Sequence, residues 1–239
     1  FLTGMEKHSD ECRDDLYGNS DAFIGAMKTH MRALHMSALY TSMNELSNHD
    51  HSRFLTRTNR RVGRISYAGA EAASQNINPA VMREGVVVQM TWPGAPTVYY
   101  GDEAGVCGFT DPDNRRTYPW GHEDKQMLLF HKEAIRIHRN STALRTGSYK
   151  MLYTAWGILA YGRFDEKERY TVIVNNTQDT VNVAIPVWQI GVTDGSRMEQ
   201  QLMSSSASFT KVPDIYVVTD GYLMVAIPKT SAVILKDIG

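Results

Sequence analysis

The sequence is poor in cysteine and has no excess of charge of either sign. Its two cysteines, Cys12 and Cys107, lie far apart with no CxxC spacing, which argues against a metal site and against a disulfide-dependent fold. Lys and Arg number 25 against 26 Asp and Glu, so no basic surface for nucleic acid or an anionic membrane is expected. We therefore predict a neutral, hydroxyl-rich substrate and a reducing, cytoplasmic location.

Long apolar runs and an initiator methionine are also missing. No run approaches the length of a membrane span, and the first residues are too few for the core of a signal peptide. The chain opens on Phe1-Leu2-Thr3, and no strand–helix series precedes its first polar cluster. We expect a piece of a longer protein, for which secretion stays open.

A first helix–strand unit is predicted near the start of the chain. Asn19 or Ser20 can cap a helix, and residues 42–47 then form a short strand that ends in Asn48-His49-Asp50. The helix is indicated by apolar residues at helical spacing, namely Phe23, Met27, Met31, Leu34 and Ala38.

A second unit repeats this pattern. Asn78 caps a helix over residues 79–91 with Pro79 at its first position. The apolar stretch 97–100 is predicted as a strand that ends in Gly101-Asp102-Glu103. Two consecutive helix–strand units predict a parallel sheet covered on both faces, and the active sites of (β/α)8 barrels collect at the carboxyl ends of such strands.

The character of the chain changes near residue 141. Residues 104–123 form a loop long enough to suggest a function, and Asp124 starts another helix. Alternating stretches between Gly, Asp and Asn turns then predict an antiparallel β-sandwich, at residues 148–155, 158–164, 170–176, 180–186, 221–227 and 231–236. The predicted domains are residues 1–140 and 141–239.

Two polar segments are candidates for chemistry. Asn48-His49-Asp50 offers an amide, an imidazole and a carboxylate that can hold sugar hydroxyls and stabilise an oxocarbenium-like transition state, although a plain turn has the same composition. In the segment 111–116, Asp111 can accept from sugar hydroxyls and Arg115 or Arg116 can donate to them, although an ordinary charged turn also explains it.

Three other features have simpler explanations. Gly162-Arg163-Phe164-Asp165 resembles a G-x-R-x-D nucleophile signature with one residue missing, but Asp165-Glu166-Lys167 is better explained as a hairpin turn between two strands. Trp156 and Trp188 have the chemistry of sugar-stacking platforms, but a Trp in a sandwich more often serves packing. Asp102 and Glu103 individually suit a solvated acidic turn.

Together, the two strand-end clusters, their order, the 111–116 loop and the strands that follow resemble the C-terminal half of glycoside hydrolase family 13, the α-amylase family. The likeness is to its neopullulanase, cyclomaltodextrinase and maltogenic amylase branch. Ser47–Thr56 resembles the family's fourth signature region, at the end of barrel strand seven, and Gly94–Glu103 resembles barrel strand eight. The resemblance implies α/β plus all-β architecture: the C-terminal portion of a (β/α)8 barrel, then an antiparallel β-sandwich domain.

The resemblance also implies roles. Asp50 matches the aspartate that stabilises the transition state, and His49 the histidine that binds hydroxyls of the sugar at the cleavage point. Asp111 and Arg115, or alternatively Arg116, match residues that hold sugars on the non-reducing side. The implied partner is an α-glucan such as a maltodextrin, a cyclodextrin or pullulan. No cofactor is needed for the chemistry, while calcium is possible in the longer protein.

The main departure from the family pattern concerns the other carboxylates. Retaining glycosidases use a nucleophile and a general acid whose carboxyl groups lie about 5–5.5 Å apart, and neither the strand-four aspartate signature nor the strand-five glutamate signature occurs here. We expect the isolated chain to be inactive and to need the rest of the barrel or self-association. The alternative is a non-catalytic carbohydrate-binding or structural module of the same ancestry. Among enzymes, debranching or branching specificity is the second choice.

Overall fold

The computed structural model describes all 239 residues. Its seven α-helices are Ser20–Arg32 (α1), Met36–Thr41 (α2), Phe54–Arg57 (α3), Ile65–Ala68 (α4), Pro79–Thr91 (α5), Lys125–Arg139 (α6) and Thr142–Thr146 (α7). Its eleven strands are Met43–Asn44 (β1), Ala95–Pro96 (β2), Ser148–Ala155 (β3), Ile158–Phe164 (β4), Arg169–Asn175 (β5), Val181–Ile185 (β6), Arg197–Ser204 (β7), Phe209–Thr210 (β8), Ile215–Thr219 (β9), Tyr222–Ile227 (β10) and Ser231–Asp237 (β11). Among the helices, none has the length and hydrophobicity to cross a bilayer.

The three predicted helix starts are confirmed. The side chains of Asn19, Asn78 and Asp124 each accept a backbone N–H from the first turn of α1, α5 and α6, respectively. The first helix is shorter than predicted, because the backbone at His35 is extended and separates α1 from α2. The predicted apolar stripe is therefore divided between these two helices.

β1 and β2 pair in parallel, as the two helix–strand units predict. Met43 lies opposite Ala95 and Asn44 opposite Pro96. Gln89 of α5 donates to the backbone carbonyls of both Asn44 and Thr97, at 3.1 and 2.8 Å, so the helix holds the two strands together.

Both strands are shorter than predicted. The prediction of a strand over 97–100 is wrong: the strand covers Ala95–Pro96, and a turn begins at Tyr100. The turn is closed by the N–H of Asp102, which donates to the carbonyl of Tyr99 at 3.1 Å. The apolar side chains of 97–100 thus belong to the segment that leads into the long loop.

The remaining strands form one antiparallel sheet of nine strands, in the order β3-β4-β5-β11-β7-β9-β10-β6, with β8 beside β7. β10 also contacts β5 and β11, which are not its neighbours in that order, so the sheet curls around a shared core. The predicted antiparallel sheet domain is confirmed, and its strands are joined into one continuous, curled sheet. The sequence pattern did not reveal β7, because two of its buried residues, Gln200 and Ser204, are polar.

β4, β5 and β11 are buried on both faces. Their inner side chains fill the curled sheet, and their outer side chains share a second core with α5 and α6. The hydroxyl of Tyr161 on β4, for example, lies 2.6 Å from that of Thr91 on α5. We predicted that buried and exposed residues alternate along these strands. That prediction is wrong, because nearly every residue of the three strands is buried.

Arg163, in the segment that resembles a nucleophile signature, has a structural role. It is fully buried on β4 and donates to the backbone carbonyls of Thr91, Gly147 and Ser148. Asp165 accepts the backbone N–H groups of Lys167 and Glu168, both at 2.8 Å, and so forms the hairpin turn. The structure thus places Asp165 in a turn of the sheet, as predicted.

Candidate active site

The chain after β1 forms a tight turn that presents His49 and Asp50. The side-chain oxygen of Asn48 accepts the backbone N–H groups of Asp50 and His51, both at 3.0 Å. Asn48 itself is fixed, because its amide donates to Glu45 Oε1 at 2.5 Å. The side chains of His49 and Asp50 are 67% and 61% exposed, and His49 Nε2 lies 3.5 Å from Asp50 Oδ1. Both side chains are therefore accessible to a ligand, on a turn whose backbone is held by hydrogen bonds.

The long loop after β2 folds back onto this turn. Arg115 donates from Nε to the backbone carbonyl of His49 at 3.1 Å and forms an ion pair with Asp111 at 2.8 Å. The hydroxyl of Thr110 donates to the carbonyl of Asp50 at 2.6 Å. The structure therefore brings together all four site residues predicted from the sequence, Asp50, His49, Asp111 and Arg115.

The two arginine candidates have different contacts, and only Arg115 bonds to His49. Arg116 points away from His49: it pairs with Asp113 at 2.9 Å and donates to the carbonyl of Ala70 at 2.6 Å. Arg115 is thus the arginine of the cluster, while Arg116 secures the base of the loop.

Sequence reasoning missed the buried support of this cluster. Arg53 is fully buried and donates to Asp102 Oδ1 at 3.1 Å and to the backbone carbonyls of Tyr100 at 2.6 Å and Asn114 at 2.8 Å. Its guanidinium carbon also lies 4.1 Å from the centre of the Tyr99 ring. Arg53 thereby links the turn after β1 to the loop after β2. The sequence did contain an indication of this pair. The basic Arg53 and the acidic Asp102 lie in the two segments that resemble the family's signature regions.

Asp102 is therefore not the solvated acidic residue that the sequence suggested. Its side chain is 2% exposed, and its second carboxylate oxygen has no hydrogen-bond partner. Burial raises the pKa of Asp102 to about 6, against the opposing effect of Arg53. The carboxylate holds Arg53 in place and is too enclosed to meet a sugar.

The cluster provides some of the groups that glycoside cleavage requires. Asp50 can stabilise positive charge, and His49 with Arg115 can bind hydroxyls. The other carboxylate of the cluster, Asp111, is engaged with Arg115. No group of three or more His, Cys, Asp or Glu side chains is arranged to hold a metal ion, and a calcium requirement of a longer protein stays a prediction.

A large cavity lies away from this cluster. It measures about 460 Å³ and lies between the first residues of the chain, α1, β1 and α5. None of the four cluster residues lines it, and most of its lining side chains are apolar. The cavity is thus separate from the polar cluster at the strand ends.

Comparisons with known proteins identify the family. Residues 6–212 match the family model of the alpha amylase catalytic domain. An amylopullulanase of Thermoanaerobacter thermohydrosulfuricus is 30% identical over 223 residues, which are 85% of this chain and 14% of that protein. A cyclomaltodextrinase of Thermoanaerobacter pseudethanolicus is 33% identical over 157 residues, 64% of this chain and 24% of its own length. The chain thus spans a minor part of the curated relatives that it matches.

Solved structures share the fold. An Anoxybacillus alpha-amylase matches with a TM-score of 0.67 and 25% identity, over 83% of this chain and 38% of that one. A debranching enzyme from Nostoc punctiforme matches in fold with a TM-score of 0.68 at 22% identity, over 90% of this chain and 39% of that one. Since the family match covers most of the residues, and the fold and the relatives agree with it, the chain belongs to the α-amylase family.

Proposed function

We propose that this chain supplies the transition-state-stabilising aspartate and part of the substrate cleft of a retaining α-glucan-acting glycoside hydrolase. The reaction is hydrolysis or transglycosylation of α-glucosidic bonds in maltodextrins, cyclodextrins or pullulan. One observation carries the proposal: Arg115 Nε lies 3.1 Å from the carbonyl of His49, across 66 residues of sequence. That contact joins the two segments whose residues suit sugar binding.

Each residue has a distinct task in this proposal. Asp50, exposed and anchored through its backbone by Thr110, offers a negative charge to the oxocarbenium-like transition state. The His49 imidazole donates to hydroxyls of the sugar at the cleavage point. Asp111 and Arg115 bind the next sugar, the carboxylate as acceptor and the guanidinium as donor. The names of the relatives, amylopullulanase and cyclomaltodextrinase, support an α-glucan as the substrate.

We further propose that residues 1–140 form the last part of a (β/α)8 barrel, with β1 and β2 as strands seven and eight. The parallel pairing of β1 and β2, with α5 between them in sequence and α6 after them, supports this assignment. The nucleophile and the general acid then come from a segment whose signatures this sequence does not contain. The rest of the barrel is the partner of the free strand edges.

The test measures turnover rather than binding alone. The chain is joined to the N-terminal part of the cyclomaltodextrinase that it resembles, and release of reducing sugar from maltohexaose is followed. Asp50→Asn is expected to lower kcat by about 10³-fold with little change in stability, because it removes a charge and little packing. His49→Ala is expected to act more weakly, through lost hydroxyl contacts.

Asp194→Asn is the matched control, since Asp194 is exposed in the sheet domain and takes part in no side-chain hydrogen bond or ion pair. It is expected to leave turnover unchanged. A protein that binds maltohexaose but does not cleave it would favour the alternative, a non-catalytic carbohydrate-binding module. An unimpaired Asp50→Asn variant would refute the proposed role of Asp50.

A further inference from the structure

The most exposed large apolar side chain of the molecule is Trp120, which is 80% exposed in the loop after β2. The other exposed tryptophans have packing partners: Trp156 lies over Gly18 and Trp188 over Gly221, where a Cβ atom would be 2.8 and 3.0 Å from the tryptophan side chain. Trp120 instead packs against Tyr118 in a tilted arrangement, with ring centroids 4.5 Å apart and planes at 48°. Its exposure therefore has no explanation in the folding of the loop.

The loop holds this aromatic pair in a defined position. Its two ends are joined by the N–H of Asp124, which donates to the carbonyl of Ala104 at 3.0 Å. Around the pair, the N–H of His122 donates to the carbonyl of Pro119 at 2.8 Å. Gly121 adopts a φ of +79°, which a residue with a side chain rarely takes, so the turn depends on this glycine. Trp120 is thus displayed on a closed turn.

The pair is also continuous with the candidate active site. The hydroxyl of Tyr100, in the turn that follows β2, donates to the carbonyl of Arg116 at 2.8 Å, two residues before Tyr118. The carboxylate of Glu123 accepts the N–H of Gly121, the residue after Trp120, at 3.1 Å, and burial together with the carboxylates of Glu103 and Glu123 raises the pKa of Tyr118. A carboxylate acceptor therefore lies next to the aromatic pair, in the same loop as Arg115.

We propose that Tyr118 and Trp120 form an aromatic platform on which a glucose unit of the α-glucan stacks, beyond the sugars held at His49, Asp50 and Arg115. The inference rests on the proposed function, which places a glucan at those residues. A glucopyranose presents C–H groups on its face and hydroxyls around its edge, which matches an exposed aromatic face with a carboxylate acceptor close by. Two rings are too small for a protein interface, which needs about 800 Å² from each partner.

The test is calorimetric titration of the 239-residue chain with maltohexaose and with maltose. Trp120→Ala is expected to weaken maltohexaose binding about tenfold, because one stacked sugar is lost, while maltose binding changes less than about twofold. Trp120→Phe, which keeps an aromatic face, is expected to restore most of the affinity. Trp188→Ala makes the same change in the sheet domain and is expected to bind like the unaltered chain.

The results of these titrations test the aromatic platform separately from the proposed function. If Trp120→Ala binds maltohexaose as the unaltered chain does while Asp50→Asn binds it more weakly, the platform is refuted and the site at Asp50 stands. An equal loss in Trp188→Ala would move glucan binding to the sheet domain and also refute the platform. Absence of maltohexaose binding by the unaltered chain would refute the platform, whereas the turnover assay judges the proposed function independently. Thermal melting of each variant checks folding.

Discussion

At the scale of single residues, the exposed half of the candidate site could be predicted and its buried half could not. Short polar motifs such as Asn48-His49-Asp50 are visible in a sequence because solvent-facing turns favour those residues. The pairing of Arg53 with Asp102 depends on burial of both partners at once, across 49 residues. Nothing in the local sequence around Asp102 distinguishes it from an acidic turn.

The pairing leads to a prediction about stability. Arg53→Ala is expected to reduce the free energy of unfolding by about 3–5 kcal/mol, because it leaves the buried Asp102 carboxylate without its charge partner. Arg61→Ala is the control, since Arg61 is exposed and its contact with Gln75 is on the surface; it is expected to cost less than about 0.5 kcal/mol. Urea unfolding followed by circular dichroism measures both.

The double variant Arg53→Met with Asp102→Leu refines that prediction. Replacing both charges by apolar side chains is expected to recover much of the loss, because a pair removed together leaves no unpaired charge. A double variant as unstable as Arg53→Ala alone would show that packing, rather than the buried charge, accounts for the effect.

At the scale of elements, local chemistry predicted the starts of the three longest helices, α1, α5 and α6, and predicted the strands less well. The caps at Asn19, Asn78 and Asp124 act through bonds within one turn, so the sequence contains all the information they need. The short extent of β2 and the double burial of β4 depend on partners that are distant in sequence. β9 was missed for a related reason: Ile215 and Val217 are exposed, which removes the expected polar face.

Within α5, Glu84 gives a prediction about pH. Its side chain is fully buried, and neither carboxylate oxygen has a hydrogen-bond partner. Burial raises the pKa of Glu84 well above its usual value, against the opposing charge of Arg83. The folded state therefore binds this proton more tightly than the unfolded state. Its contribution to stability is complete below the unfolded pKa and is lost as pH rises through the folded pKa.

Glu84→Gln removes this titration. The difference in melting temperature between Glu84→Gln and the unaltered chain is expected to become more positive as pH rises from the unfolded pKa of about 4.3 towards the folded pKa. Glu71→Gln, at an exposed position, is expected to show no such trend. A difference for Glu84→Gln that does not change with pH would contradict the buried, protonated state.

At the scale of the whole molecule, the antiparallel and the parallel sheets differ in the number of strands they contain. The antiparallel sheet has nine strands around a shared core, whereas β1 and β2 form a parallel sheet of two. Met43 on β1 is 63% exposed, and the apolar cavity of about 460 Å³ lies beside it. A short parallel pair with an open edge is the template on which further strands add.

We therefore expect the isolated chain to self-associate. Light scattering at tens of micromolar should give a mass above that of the monomer, because a second copy covers the free edge and the apolar surface beside it. Met43→Lys, which places a charge on the edge strand, is expected to reduce the association. A stable monomer that unfolds cooperatively at this concentration would contradict the proposed partial barrel.

The central claim is that this chain contributes Asp50 to a glucan-cleaving site and lacks the carboxylates that complete it. The most direct test is release of reducing sugar from maltohexaose, measured for the isolated chain, for the chain joined to the other barrel strands and for the joined protein with Asp50→Asn. We expect turnover only in the joined protein and a loss of about 10³-fold in kcat on substitution. Robust turnover by the isolated chain, or an Asp50→Asn protein that works normally, would contradict the claim.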